Sequence, residues 1–235
     1  MDGFGDFASA AWGVGSGTAL DVESRVYFPH SLGIFYQAIT QYPGFPHYGD
    51  EYKVMGLAPY GKPTYLDAMR KILLLQDDGS FRLNLEYFSH HNEKIVYVWE
   101  NGMPHVGALF TPALAELLGP LPEKNGQQLS QIYKDLAHSA QAMYEEAFFY
   151  LLNTLHAKYR VDNLGLAGGC AMNSVANGKV YRKTPFKRLY AQCDAGGAIG
   201  AAYVVHYQHA NKPREFVMDH AYWGRNPQMM KSMNC

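Results

Sequence analysis

The sequence predicts an α/β fold, a mixed sheet of about five strands with helices packed against it, and three stretches carry that expectation. From Leu129 to Tyr159, the residues Ile132, Tyr133, Leu136, Ala140, Met143, Tyr144, Ala147, Phe148, Leu151, Leu152 and Leu155 keep one face apolar for about eight turns, as a long packed helix does. Downstream, "VDNLGLAGGCAMNSVANGKV" and "KRLYAQCDAGGAIGAAYVVHYQH" each read as a strand, a glycine turn and the start of a helix, which makes two successive βα units. Between Phe4 and Phe28, small and apolar residues run into a Gly-x-Gly-x turn and then Val22, Val26, Tyr27 and Phe28, the material of a hairpin.

The remaining elements follow in order. Leu32, Phe35, Tyr36 and Ile39 recur at helical spacing behind Ser31, a residue type suited to an N-cap, so a short helix is expected over 32–41. Residues 42–63 carry four Pro and four Gly around "DEYKVMGLAPYGKP", a density that argues for a functional loop over regular structure. A helix is expected over 64–75, extended segments over 79–99 and a Pro/Gly linker over 119–126. With no linker dividing two cores, residues 1–227 read as one domain and 228–235 as a loose tail.

Composition narrows the function. The 48% hydrophobic content suits a protein with a real core, and a formal net charge of −1 supplies no field to gather nucleic acid or an anionic membrane surface. No apolar run approaches the roughly 18 residues of a membrane span. The N-terminus lacks the blocks of a signal peptide, and Cys170, Cys193 and Cys235 show no metal-site spacing, so a reducing, cytoplasmic setting is expected. The aromatic content, with 18 Tyr, suits a polar organic ligand and equally suits packing at half-buried surfaces.

Several residues are candidates for chemistry. Gly168 and Gly169 sit between an apolar strand and a helix, where backbone amides can hold a phosphate that no side chain blocks; the same pair also makes an ordinary tight turn. Asn173 follows at a distance suited to bonding the same ligand. Asp194 takes the equivalent place in the next unit, as a ligand or as a helix cap. Lys53 is suited either to neutralising a phosphate or to lying in solvent. His138 and His156 lie on the long helix as surface or packing residues, and the adjacent His90 and His91 fall in a polar loop.

Together, "DGFGD" at the start, "EYKVMGLAPYG" at 51–61, "LAGGCAMNSVANGKV" at 166–180, "DAGGAIGAA" at 194–202 and "HAYWGRNP" at 220–227 resemble, in order and spacing, the NodU/CmcH family of O-carbamoyltransferases. The resemblance covers nearly the whole chain. It implies one lobe of the actin and sugar-kinase (ASKHA) fold, in the branch shared with the tRNA threonylcarbamoyl transferases. That branch holds iron or another divalent metal with two histidines and two aspartates, and the matching aspartates here are Asp2 and Asp194. Two carboxylates brought together at strand ends repel unless a cation lies between them.

The resemblance further implies transfer of a carbamoyl group from carbamoyl-adenylate, made from carbamoyl phosphate and ATP, to a hydroxyl of a sugar or natural-product acceptor. Gly168, Gly169, Asn173 and Lys53 would then meet the nucleotide, with the catalytic group unassigned. The family's His-x-x-x-His pair belongs upstream of the Asp-Gly motif and its YrdC-like module downstream of "HAYWGRNP", so an incomplete site and an inactive isolated chain are expected. Two alternatives stay open: a non-catalytic nucleotide-binding fragment, and a tRNA threonylcarbamoyl transferase-like protein, against which the balanced charge argues.

Overall fold

The computed structural model describes residues 1–121, 129–210 and 212–218. Strands β1 (Ala8–Ser16) and β2 (Ala19–Tyr27) pair as a hairpin across Gly17 and Thr18, Gly17 taking the positive φ of 60° that the tight turn requires. Helix α1 covers Leu32–Gln41, the span expected from its spacing, and Ser31 caps it: the Ser31 hydroxyl accepts from the Ile34 N–H at 3.1 Å.

Regular structure appears where a loop was expected. Helix α2 (Glu51–Leu57) and a 3₁₀ turn at Ala58–Tyr60 lie inside 42–63. Tertiary packing explains the difference. Val54 and Ala58 are buried, and a Cβ on Gly61 would collide with the Lys134 carbonyl, so the chain lies directly on the long helix that carries Lys134. Lys62 N–H donates to Asp135 at 2.9 Å, and the His138 ring meets the Ala58 carbonyl at 3.0 Å. Prolines and glycines break the segment into short pieces, and contact with that helix orders each piece.

Helix α3 (Leu66–Ile72) runs into β3 (Leu73–Leu75), which pairs antiparallel with β4 (Phe81–Leu83). A second antiparallel pair, β5 (Tyr97–Glu100) and β6 (Met103–Val106), turns at Asn101–Gly102, both at positive φ as a two-residue hairpin demands. Helix α4 (Pro112–Leu118) precedes the expected linker, of which 122–126 lies outside the described residues. Helix α5 (Gln131–Tyr159) is 29 residues long and realises the stripe beginning at Leu129. Its Leu136, Met143, Phe148 and Leu152 belong to one buried cluster with Phe35 and Ile39 of α1 and with Met69 and Ile72 of α3.

The first βα unit is β7 (Asn163–Leu166), a 3₁₀ turn at Gly169–Met172, and the short helices α6 (Ser174–Asn177) and α7 (Val180–Lys183). It returns to β8 (Arg188–Ala191), parallel to β7 with Asn163 opposite Arg188 and Leu166 opposite Ala191. The second unit continues as a 3₁₀ turn at Asp194–Gly196 and α8 (Gly197–Val204), followed by one π turn at Val205–His209.

The expected single sheet of about five strands is replaced, among the described residues, by four two-stranded sheets. Six of the eight strands are three or four residues long and end in turns or short helices, which leaves short ladders, while the nine-residue β1 and β2 pair with each other alone. Where the hairpin and the parallel pair come close, Met1 and Asp2 stand between them: Asp2 N–H donates to Ser9 at 2.8 Å, Met1 N to Ala167 at 2.8 Å, and Cys170 N–H to Met1 at 3.2 Å. The fold is α/β with small sheets and packed helices. It divides into two compact units, one of residues 1–14 and 21–196, the other of 15–20 with the chain from 197 on. No helix among the described residues is long and apolar enough to cross a membrane. The tail at 228–235 and the "HAYWGRNP" stretch lie outside the described residues.

Candidate functional site

A cavity of about 300 Å³ opens in the larger unit between the first turns of α1 and α2 and the turn after β7. Asp2, Glu51, Gly169, Asn173 and Asp194 line it, with Tyr36, Tyr48 and Tyr144. Three backbone features place Asp2. Its N–H bonds to Ser9 on β1, and its carbonyl accepts the Ser31 hydroxyl at 3.1 Å. Gly33, in the first turn of α1, presses on it: a Cβ there would come within 2.8 Å of Gly3 N. Ser31 therefore caps α1 and tethers Asp2 with one oxygen.

The two glycines after β7 do different things. Gly168, at φ 88°, has its Cβ direction filled by the Met1 carbonyl and the Asp2 Cβ, so it admits the chain that carries Asp2. Gly169 faces the cavity. A methyl group added to it would lie 3.1 Å from Asp2 Oδ1 and 3.4 Å from Asp194 Oδ1. Asp2 and Asp194, 192 positions apart in sequence, thus bring their carboxylates to one point.

The wall behind that point is a buried polar network rooted in α5. Gln141 and Asn173 exchange amide hydrogen bonds, both at 3.0 Å, and Tyr36 donates to Gln141 Oε1 at 2.8 Å. Asn173 Oδ1 also caps α6 by accepting the Ala176 N–H at 3.0 Å. Its oxygen is therefore committed inside the protein, leaving one amide hydrogen for a ligand. Tyr144 donates to the Cys170 carbonyl at 2.7 Å, and Lys179 clamps Glu145 at 2.6 Å. Lys53, by contrast, is not among the cavity-lining residues; it pairs with Asp50 at 2.5 Å and lies over the Phe45 and Tyr52 rings.

The electrostatics are one-sided. The described lining contains three carboxylates and no Lys, Arg or His. Burial pushes the Glu51 carboxyl above its ordinary range, with Asp50 acting in the same direction and backbone N–H groups of Glu51 and Gly49 opposing. Tyr48 is raised by burial and then by Asp194, Asp2 and Glu51. Burial pushes the Cys170 thiol up to about 12, with the same three carboxylates adding to the effect and the nearby N-terminal amine opposing it. That thiol stays protonated and is no nucleophile.

A cation suits this arrangement, since two carboxylates converging at a point a methyl would fill are hard oxygen donors that otherwise repel. An anionic phosphate does not suit it without such a cation. Among the described residues no group of three or more His, Cys, Asp and Glu side chains is placed to hold a metal; the Asp2 and Asp194 carboxylates by themselves offer oxygen donors from two residues. His90 bonds the Pro29 carbonyl at 2.8 Å and packs against Phe4, Phe28 and Phe88.

Glu51, Tyr48, Gly33 and Gln141 were not singled out from the sequence. Glu51 opens the quoted "EYKVMGLAPYG", Gly33 is a helix-breaking residue inside an apolar-periodic helix, and Gln141 is a polar residue on the apolar face of α5, four residues after Ala137 and three before Tyr144. Gly33 and Gln141 are local violations of pattern, which is the signal that could have found them; Glu51 and Tyr48 carry no such signal.

Residues 1–203 match the family model described as carbamoyltransferase N-terminus. An uncharacterized protein of Synechocystis sp. is 40% identical over 218 residues, 91% of this chain and 33% of its own length. The nodulation protein NolNO of Sinorhizobium fredii and the nodulation protein NolO of Bradyrhizobium diazoefficiens are each 34% identical over 231 residues, 95% of this chain and 30% and 37% of their own lengths. The chain thus spans about a third of the length of the curated relatives it matches. The match over residues 1–203, with relatives 34–40% identical over more than nine-tenths of the chain, shows that this chain belongs to the carbamoyltransferase N-terminus family.

Proposed function

We propose that the chain is the metal- and adenylate-binding lobe of an O-carbamoyltransferase with an ASKHA-type fold, acting on carbamoyl-adenylate and the hydroxyl of a sugar or natural-product acceptor. One observation carries it: Asp2 and Asp194 reach a common point beside Gly169 in a cavity whose described lining holds no cationic side chain. Asp2 and Asp194 would hold iron or another divalent cation. Bound there, the cation supplies charge to offset that developing on phosphate or carbonyl oxygen.

The chain's own residues account for the rest. Gly169 keeps the space between the carboxylates open, since any side chain would fill it. The Gln141–Asn173 pair fixes the back wall and leaves one Asn173 amide hydrogen for the nucleotide. Glu51, a raised carboxyl on the same cavity, is placed to take the acceptor hydroxyl's proton. The acceptor oxygen then forms its bond to the carbamoyl carbon, and adenylate leaves with the electrons of the broken C–O bond. Lys53, tied to Asp50, has no part in this reading.

The test is metal content and adenylate affinity of Asp194→Ala against the unmodified chain. Asp194 is exposed at a turn, so the fold should survive. Bound metal should fall, and adenylate affinity in the presence of metal should drop about 10- to 100-fold. Unchanged binding of both would remove the assignment.

A further inference from the structure

Beside the acidic cavity lies a second hollow of about 300 Å³, lined by Tyr48, Tyr97, Val98, Trp99, Pro104 and His105. Its floor is the β5–β6 hairpin extended by a third short segment: His47 bridges His105, and Tyr48 N–H donates to Pro104 at 3.1 Å. Alternation and register sort the side chains by face. Tyr97 and Trp99 are two apart on β5, Trp99 is opposite Pro104, and Tyr48 lies beside Pro104 on the extended edge. One face therefore presents Tyr48, Pro104, Trp99 and Tyr97 as a continuous shelf. Trp99 is 76% exposed and Tyr97 62%, so among the described residues nothing covers the rings that a strand of this kind would normally bury.

Tyr48 is the hinge of the inference. It lines both hollows, on one side with Asp2, Glu51 and Asp194 and on the other with Tyr97 and Trp99. A flat molecule lying on the shelf consequently has one edge at the mouth of the acidic cavity. The shelf's chemistry defines that molecule: apolar ring faces for its C–H surface, with the Tyr48 and Tyr97 hydroxyls supplying hydrogen bonds at the rim. A pyranose has that combination, apolar C–H groups on a rigid face and hydroxyls around the edge.

We propose that Trp99, with Pro104, Tyr97 and Tyr48, is a stacking subsite for a pyranose ring of the acceptor, setting one of its hydroxyls toward the acidic cavity. The proposal rests on the carbamoyl-transfer reading only for the word acceptor; the subsite stands on the hairpin itself.

The experiment is saturation-transfer difference NMR on the full chain, with methyl β-D-glucopyranoside as probe and neither nucleotide nor metal added. Saturation should reach the ring C–H protons and not those of sorbitol, whose flexible chain has no rigid face. Trp99→Ala should weaken apparent affinity about tenfold, and Trp99→Phe should restore most of it. Trp99 is largely exposed on a surface hairpin, so a far-UV spectrum matching the unmodified chain is expected. Absence of transfer in the unmodified chain, or undiminished transfer in Trp99→Ala, overturns the proposal. So does shielding of the Trp99 indole N–H from a soluble paramagnetic agent, because the shelf would then be covered by protein. Failure of Asp194→Ala to alter metal and adenylate binding would overturn the functional reading and leave this subsite untouched.

Discussion

The two strand-turn-helix corners, one after β7 and one after β8, read nearly alike in sequence and are built differently. In the first, Cys170, Ala171, Ala176 and Val180 are buried, and α5 grips the corner through Tyr144, Gln141 and Glu145. In the second, α8 has no buried residue despite its apolar sequence GAIGAAYV. The same local grammar of apolar strand, glycine turn and small-residue helix specifies the turn in both places. What packs across it decides the rest. The first corner becomes a rigid wall, and the second presents Asp194 at an accessible edge, where a ligand can be met without dismantling the core.

The largest expected effect lies at the first corner. Gly168→Ala would force an L side chain into φ 88° while its Cβ meets the Met1 carbonyl, so the strained turn and the displaced Met1–Asp2 segment both count against the fold. A loss of about 3 kcal/mol is expected in urea unfolding. Under about 1 kcal/mol, Met1 and Asp2 would have to be movable and the placement of Asp2 loose.

Next is Asn173→Ala. It removes the α6 cap and takes from the Gln141 amide one donated and one accepted hydrogen bond in a buried site, Gln141 keeping Glu145 and Tyr36 as partners. About 2 kcal/mol is expected, shared between the lost cap and the lost amide pair. The double substitution Asn173→Ala with Gln141→Leu checks the attribution, because removing both polar partners should cost less than the sum of the two single changes.

How much of this was legible in advance follows the range of the forces involved. Helix α1 and its Ser31 cap could be read to the residue, since spacing and capping are local. The long helix and the two βα units were legible for the same reason. Helix α2 was hidden because contacts with α5, many residues later, order a segment that its own prolines and glycines would break. The sheet was misjudged because strand existence is local and strand recruitment is not. At the site, Asp2 and Asp194 were nominated by family resemblance and brought together only by the fold. The wall of Tyr36, Gln141 and Asn173 depends on side chains up to 137 positions apart, a relation no periodicity expresses.

The smallest effect should come from Gly197→Ala, and it is the control that gives Gly168→Ala its meaning. Among the described residues no atom lies within 4 Å of a Cβ added to Gly197 and its φ is not positive, so the same substitution meets neither strain nor obstruction there. It also replaces the poorer helix former at the start of α8. Stability within about 0.5 kcal/mol of the unmodified chain is expected, measured by the same urea titration. A cost matching that of Gly168→Ala would mean that the second corner is as closely packed as the first. The contrast between a gripped wall and an open acidic edge would then fail, and with it the reason for expecting Asp194→Ala to lose metal while keeping its fold.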